Sequence, residues 1–335
     1  AGVGPCPARF EPAAPVAITL RPEEVHQRID GIGANAVFEY NLIRLPEPAR
    51  SQVLDLCFAE LAPSVVRIKV RPSIEPVNDD ADPAHVNEAG FVPPQDQLWQ
   101  QREIFARADP MVIAALWSPP AWMKTNASDC CGGSLIRGLE PELAELFSVW
   151  LGYHRDQGHP VDHVSIQNEP EAVAPWDSNV YYPPDIGPAT EALAQRIVRD
   201  GHPARITPGD AAVIGFVPFF FDPVWAQPTA RALVSAVAFH HYGVVPYYDA
   251  SGIEAAQQAL RDYLPAGLPI WMTEFSNTTG VGYGSYDEAM AQAALMHATF
   301  LGGAGLYAVW TFYYPGGPGE ALISITTNGS GQYTV

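Results

Sequence analysis

Eight short apolar runs, each followed by a loop and an amphipathic stretch, recur along this chain of 335 residues, and that rhythm limits its fold more than any other feature. The runs cover residues 31–36, 65–70, 111–117, 163–168, 204–209, 236–242, 269–275 and 306–312. They are apolar almost throughout instead of alternating, the pattern of parallel strands covered on both faces. Helical periodicity lies between them at 48–61, 95–108, 141–157, 189–200, 253–263 and 287–301, while 216–235 is less regular and carries Pro218, Pro223 and Pro228. Parallel neighbours need a crossover, so eight strands alternating with about seven helices predict an α/β fold, the (β/α)8 TIM barrel. A doubly wound sheet is the rival, but no G-x-G-x-x-G follows the first run.

Two segments fall outside that rhythm. Residues 16–20 alternate, and 322–327 precede Asn328-Gly329, a hairpin turn signal, with 332–335 as the returning strand. The expected organisation is a barrel over 24–312 and a small, incomplete β module over 1–23 and 313–335. In that module the N-terminal strand pairs with the C-terminal hairpin.

The 37 acidic side chains against 18 basic ones give a net charge of −19. Nucleic acids and anionic membranes reward the opposite balance, and the two lysines, Lys69 and Lys124, make no basic patch. The longest uncharged run, 289–319, is interrupted by Gln292, His297 and Gly302-Gly303-Ala304-Gly305, so no 18-residue apolar span survives in it. Cys6, Cys57, Cys130 and Cys131 allow three pairings and have no zinc-site spacing; Cys57 lies in an apolar helical stretch and reads as a core thiol. The chain opens Ala-Gly-Val-Gly-Pro, without a charged and apolar leader, which fits a secreted protein whose signal peptide is gone. A monomer is expected.

Barrel chemistry collects at the C-terminal ends of the strands. Two ends place a glutamate at the rim: Ser165-Ile166-Gln167-Asn168-Glu169-Pro170 and Trp271-Met272-Thr273-Glu274-Phe275. Two carboxylates facing each other across a barrel mouth suit glycosidic cleavage, in which one protonates the leaving oxygen and the other attacks the anomeric carbon. The bland reading makes each a rim salt bridge, and few cations stand nearby in sequence.

Asn168-Glu169-Pro170 on strand four with a glutamate ending strand seven resembles the glycoside hydrolases of clan A. The block from Trp117-Ser118-Pro119-Pro120-Ala121-Trp122 to Asn126, then Gly132-Gly133-Ser134-Leu135 and Gln167-Asn168-Glu169-Pro170, resembles glycoside hydrolase family 30. Asp30-Gly31-Ile32-Gly33, His240-His241-Tyr242-Gly243 and Trp271-Met272-Thr273-Glu274 fit the same family, over about residues 18–327. The resemblance implies a retaining double displacement with Glu169 as acid/base and Glu274 as nucleophile, their carboxyl groups about 5–5.5 Å apart. An ionised Glu274 raises the proton affinity of Glu169, and that repulsion vanishes once Glu274 is esterified.

Other positions carry over with a structural reading beside each. Asn168 resembles the residue that bonds the sugar 2-hydroxyl; the alternative is a turn cap. Arg67 resembles the arginine paired with the nucleophile; the alternative, a structural ion pair, is compatible. Alternation puts His240 and Tyr242 on one face, so Tyr242 could bond Glu274 and His240 a sugar hydroxyl, although a lone histidine is often a satisfied core residue. Trp117, Trp122, Trp176 and Trp310 fall at strand ends or in the next loops, where sugar faces stack, with Trp310 the platform the resemblance favours. Trp99 and Trp150 have helical spacing and read as core; Tyr181-Tyr182 and Tyr247-Tyr248 could border distal subsites, although exposed loop tyrosines are common.

The implied partner is a polysaccharide or oligosaccharide, with no cofactor, metal, nucleic acid or membrane. Asn78-Asp79-Asp80-Ala81-Asp82 lacks calcium-loop spacing, and Gly280-Val281-Gly282-Tyr283-Gly284 reads as a rim loop. About 23 residues follow strand eight, so the side module is short for this family, and 34–40 departs from its usual run of small residues. The expected activity is that of an endo-β-glycanase, xylan-type substrate first, β-1,6-glucan or β-1,6-galactan as alternatives. A catalytically silent carbohydrate-binding barrel is the rival from another class.

Overall fold

The computed structural model describes residues 17, 19–243, 250–277, 284–314, 320–328 and 332–335. Nine parallel strands form its main sheet: β1 (Gly31–Asn35), β2 (Val65–Lys69), β3 (Met111–Ala115), β4 (His163–Ser165), β5 (Arg205–Ile206), β6 (Gly209–Ala211), β7 (Val237–His240), β8 (Ile270–Glu274) and β9 (Leu306–Val309). Their order is β5-β4-β3-β2-β1-β9-β8-β7-β6. The two ends of that order are halves of one barrel strand, interrupted at Thr207-Pro208, so the sheet curls into a (β/α)8 barrel. All eight apolar runs are thus strands, and helices lie between them at Gln95–Phe105, Glu140–Asp156, Pro183–Asp200, Ala250–Tyr263 and Tyr286–Leu301.

The sharpest departure from expectation is the fifth strand. It runs on to Ala211 instead of stopping at Gly209, with a register shift against β7 between Gly209 and Ala211. Gly209 has φ +100°, and a Cβ there would lie 2.4 Å from the Ala238 carbonyl oxygen, so only glycine lets β6 approach β7. The shift leaves Asp210 in the left-handed region at φ +49° and fully buried.

Alternation along the strands divides the interior in two. Val66, Ile68, Val112, Val164 and Phe239 face the helices and belong to the large outer core. Val65, Ile113, Ala236, Trp271, Leu306 and Ala308 form a separate apolar cluster inside the barrel. Above that plug the inward positions turn polar, with Asn35, Arg67 and Thr273 all buried. Polar groups at that depth must find partners, and they find one another.

Beyond β9 the chain forms β10 (Thr311–Tyr314), β11 (Ala321–Ser324), β12 (Thr326–Thr327) and β13 (Tyr333–Thr334). β10 pairs with β11, and β12 with β13 as the antiparallel hairpin expected around Asn328. Val16 and Ile18 of the expected N-terminal strand lie outside the described residues, and Ala17, Thr19 and Leu20 carry no strand. Cys130 and Cys131, neighbours in sequence, form a disulfide, while Cys57 is a buried thiol pushed by burial up to about 12. Cys6, Tyr247-Tyr248 and residues 280–283 lie outside the described residues. No helix among the described residues is long and apolar enough to cross a membrane.

Candidate active site

Both glutamates reach the C-terminal mouth of the barrel. Glu274 is the last residue of β8 and stands beside His240 at a register shift between β7 and β8. Glu169 follows β4 in the left-handed region at φ +48°, its N–H donating to the Asp210 carbonyl at 2.9 Å. Two adjoining non-glycine residues in that costly conformation point to a backbone shaped for a site.

Arg67, wholly buried, joins four elements. Nη1 donates to Asn35 Oδ1 and Glu274 Oε2, both at 2.8 Å, and Nη2 to Asn168 Oδ1 at 2.6 Å and Asp210 Oδ2 at 2.8 Å. A planar guanidinium can serve four acceptors in fixed directions; an ammonium cannot. The other Glu274 oxygen accepts the Tyr242 hydroxyl at 3.1 Å. His240 lies between carboxylates, Nδ1 3.0 Å from Glu169 Oε1 and 4.0 Å from Glu274 Oε1, with Nε2 3.3 Å from Asp210 Oδ1. Thr273 Oγ1 also donates to Asp210 Oδ1, at 2.7 Å.

The charges follow from that geometry. Burial alone would raise Asp210, but the Arg67 charge and the bonds from His240 and Thr273 hold it well below the usual carboxylate range. Burial alone would lower His240, yet the Glu274 charge and the Asp210 and Glu169 contacts raise it to about 10. Both ring nitrogens face acceptors, as an imidazolium requires. Burial pushes Glu274 up to about 7 against the pull of His240 and Arg67. Tyr242 is raised well above its ordinary value by burial and by Glu274, so it stays a donor.

A cleft of about 650 Å³ opens over this cluster, lined among others by Trp117, Asn168, Trp176, Tyr242 and Trp310. The Trp117 ring covers the Arg67 guanidinium at 4.7 Å and lies 6.2 Å from the Trp310 ring. Val37 and Phe38, from the segment after β1, line the same cleft, and Phe38 meets Trp310 edge-on at 5.8 Å. Lys69 also lines it, its ammonium paired with Asp177. Lys124 is buried and donates to Ser118 Oγ at 2.8 Å and the Ser178 carbonyl at 2.5 Å. It thereby ties the loop after β3 to the loop after β4. The Cys130–Cys131 unit reinforces the same seam, the Cys131 N–H donating to the Trp176 carbonyl at 3.1 Å.

The structure therefore brings together Glu169, Glu274, Asn168, Arg67, Tyr242, Trp117, Trp176 and Trp310. Two expectations are corrected. His240 has no ring nitrogen left for a sugar hydroxyl, because carboxylates engage both. Trp122 is not among the cleft-lining residues; it packs against the core and its indole N–H donates to the Glu75 carbonyl at 3.1 Å. Tyr181 is buried, and neither it nor the exposed Tyr182 lines the cleft, whereas Trp99 and Trp150 pack in or against the core as expected. Asp210 is the residue that sequence reasoning missed. Thr207-Pro208-Gly209 ends the apolar pattern like a turn, and the only available signal was a carboxylate one position beyond it.

No family model matches the chain. Solved structures do resemble it. The catalytic domain of GH30 xylanase C from Talaromyces cellulolyticus is 19% identical with a TM-score of 0.72, over 94% of this chain and 74% of that one. The chain has a GH30-like barrel fold. The endo-β-1,6-glucanase BT3312 shares this GH30-like fold at 20% identity and a TM-score of 0.72, over 93% of this chain and 74% of its own. A conserved exported protein from Bacteroides fragilis does so at 16% and 0.76, over 94% and 77%.

Proposed function

We propose that this chain is a retaining endo-β-glycanase that hydrolyses a neutral polysaccharide by double displacement, with Glu274 as nucleophile and Glu169 as acid/base. The observation that carries this reading is the unequal treatment of the two carboxylates. Both line the cleft, but Glu274 is buried and held at both oxygens, by Arg67 and Tyr242, whereas Glu169 is less buried and has His240 at one oxygen. A fixed, doubly bonded carboxylate is oriented for in-line attack, and a freer one can exchange protons with a leaving group and then with water. An oxygen of each glutamate and a His240 nitrogen lie within 4.8 Å of one another. That supports the short spacing of retaining pairs over the roughly 6.5–9.5 Å of inverting ones.

In the first step Glu169 gives its proton to the glycosidic oxygen while Glu274 bonds to the anomeric carbon and the leaving sugar departs. In the second, Glu169 takes a proton from water, which attacks the same carbon and releases Glu274. Glu169, having given its proton to the leaving group, is left as the carboxylate that takes one from water, and the esterified Glu274 no longer repels it. Asn168 presents its carbonyl to Arg67, which turns its amide N–H2 towards the cleft as a donor for the sugar 2-hydroxyl. His240, held between Asp210 and Glu169, sets the local charge instead of touching sugar.

The lining supports a neutral chain. Lys69 is paired with Asp177 and Arg67 is sequestered below, while Glu320 adds a further negative charge. Trp117, Trp176 and Trp310 offer several stacking faces, as an internal stretch of polysaccharide requires. Xylan remains first and β-1,6-glucan or β-1,6-galactan second, with the solved xylanase and β-1,6-glucanase of the same fold in view; we read the protein as a secreted monomer. A panel of these polysaccharides, read by product size, tests the proposal, with oligomer release by wild type and loss of at least ~100-fold in Glu274→Gln as the expected result. Binding without turnover would instead favour a silent carbohydrate-binding barrel, and Glu274→Gln within a few-fold of wild type would refute the nucleophile.

A further inference from the structure

Away from the cleft, the loop between β2 and the helix Gln95–Phe105 meets the first turns of the helix Glu140–Asp156 around a group of acids. Carboxylate oxygens of Glu75, Asp79 and Glu142 all lie within 4.8 Å of one another, and Glu75 is wholly buried. Glu145, also wholly buried, adjoins Glu142. Among the described residues, Glu75 Oε2, Glu142 Oε2 and Glu145 Oε2 are buried without a hydrogen-bond partner. Among the described residues, the guanidinium paired with this group is that of Arg196, which stands 3.4 Å from Glu145 and is shared with Asp200 and the Pro83 carbonyl. Four carboxylates against a part share of one cation is a strongly destabilising arrangement unless something positive sits among them.

We propose that Glu75, Asp79 and Glu142, with Glu145 behind them, form a calcium-binding site that pins this loop to the helix. Oxygen-only donors select a hard cation, and opposite ligands of Ca²⁺ stand about 4.6–5.2 Å apart, which accommodates the observed group. Asp79 is preorganised for this role: its Oδ1 and Oδ2 accept the N–H groups of Asp80 and Asn87 at 2.8 and 2.7 Å, fixing the carboxylate while leaving further lone pairs. The orphaned oxygens of Glu75, Glu142 and Glu145 are then ligands or close neighbours of the ion instead of unpaired groups.

The sequence pattern hid the site because its ligands are discontinuous. Asp79 belongs to the acidic run 78–82, which has no calcium-loop spacing, while Glu75 and Glu142 come from outside that run. The ion would also steady the rim, since the Glu75 carbonyl receives the Trp122 indole N–H.

The test uses the full chain stripped with EDTA, followed by calorimetric titration with CaCl2 or MgCl2 near pH 8 and thermal unfolding in each state. One Ca²⁺ bound per chain, with a Tm several degrees higher than in EDTA and Mg²⁺ clearly weaker, supports the site. Glu142→Gln and Asp79→Asn are each expected to weaken Ca²⁺ binding at least ~10-fold. The Tm of Glu142→Gln in EDTA should equal or exceed that of wild type, because it removes a repelling charge, whereas Asp79→Asn also loses one backbone N–H acceptor and is read by Ca²⁺ binding. Asp79→Asn keeps the test open should Glu142→Gln fail to fold. Absence of binding at millimolar Ca²⁺, unchanged binding in both variants, or Mg²⁺ as the preferred ion overturns the assignment.

Discussion

Arg67 Nη1 stands 2.8 Å from Glu274 Oε2, and the arginine that makes this contact is completely buried. The same guanidinium also holds Asp210, Asn168 and Asn35, so one side chain sets the orientation of the nucleophile and of its neighbours. Lysine keeps the charge but not the fork. Arg67→Lys is therefore expected to lower kcat/KM by at least ~100-fold and to destabilise the fold by about 1–3 kcal/mol for each buried acceptor it leaves unsatisfied. Steady-state kinetics and denaturant unfolding check both. A near-wild-type variant would mean that the contact is incidental.

His240 links stability to pH, and the sign can be worked out. Its folded value, about 10, lies above the ordinary 6.5, so the folded state holds the proton more tightly. The stabilisation is complete below pH ~6.5 and is lost as pH rises through about 10. The stability difference between wild type and His240→Gln should therefore shrink across that window, as measured by Tm at a series of pH values. Glu274 is pushed up to about 7 while the His240 charge pulls it down, so the variant should shift the acid limb of kcat/KM to higher pH. A limb that stays in place or moves down would contradict the charge-setting role.

Tyr242 gives its hydroxyl proton to Glu274 at 3.1 Å, and its ring stacks on Phe275 at 5.8 Å. Tyr242→Phe keeps the stacking and removes the hydrogen bond. Loss of this orienting bond on the nucleophile is expected to lower kcat ~10- to 100-fold, and the same bond's stability contribution of about 1.5–3 kcal/mol limits the fall in Tm to a few degrees. An equal loss of Tm and activity would point to a packing role.

Two tryptophans separate sugar stacking from core packing. Trp310 lines the cleft, whereas Trp122 packs on the core and bonds Glu75. Trp310→Ala should raise KM several-fold with a small stability change, as expected for a lost stacking face. Trp122→Ala should lower Tm and leave KM close to wild type. If the two effects were exchanged, the assignment of cleft and core would be wrong.

The barrel was legible because its strands are buried on both faces, which leaves mainly apolar runs at 31–36, 65–70 and the six others. Glu169 and Glu274 were legible because each stands at the C-terminal end of such a run, where a barrel strand reaches the rim. Asp210 was not, since Pro208 and Gly209 end the local pattern, and only the register shift between β6 and β7 carries the strand onward to it. The misreading of His240 follows from that omission: its face was set by alternation, but its partner had not been placed. Trp122 shows a different limit, because the direction of a loop side chain depends on contacts such as Glu75 that lie far away in sequence. The calcium-site carboxylates were hidden for the same reason.

Double displacement at Glu274 rests most directly on the stereochemistry of the first product. Proton NMR of early hydrolysis of a β-linked substrate, before mutarotation, reads it without any mutant. The β anomer appearing first is the predicted result, and the α anomer appearing first would contradict a covalent intermediate on Glu274.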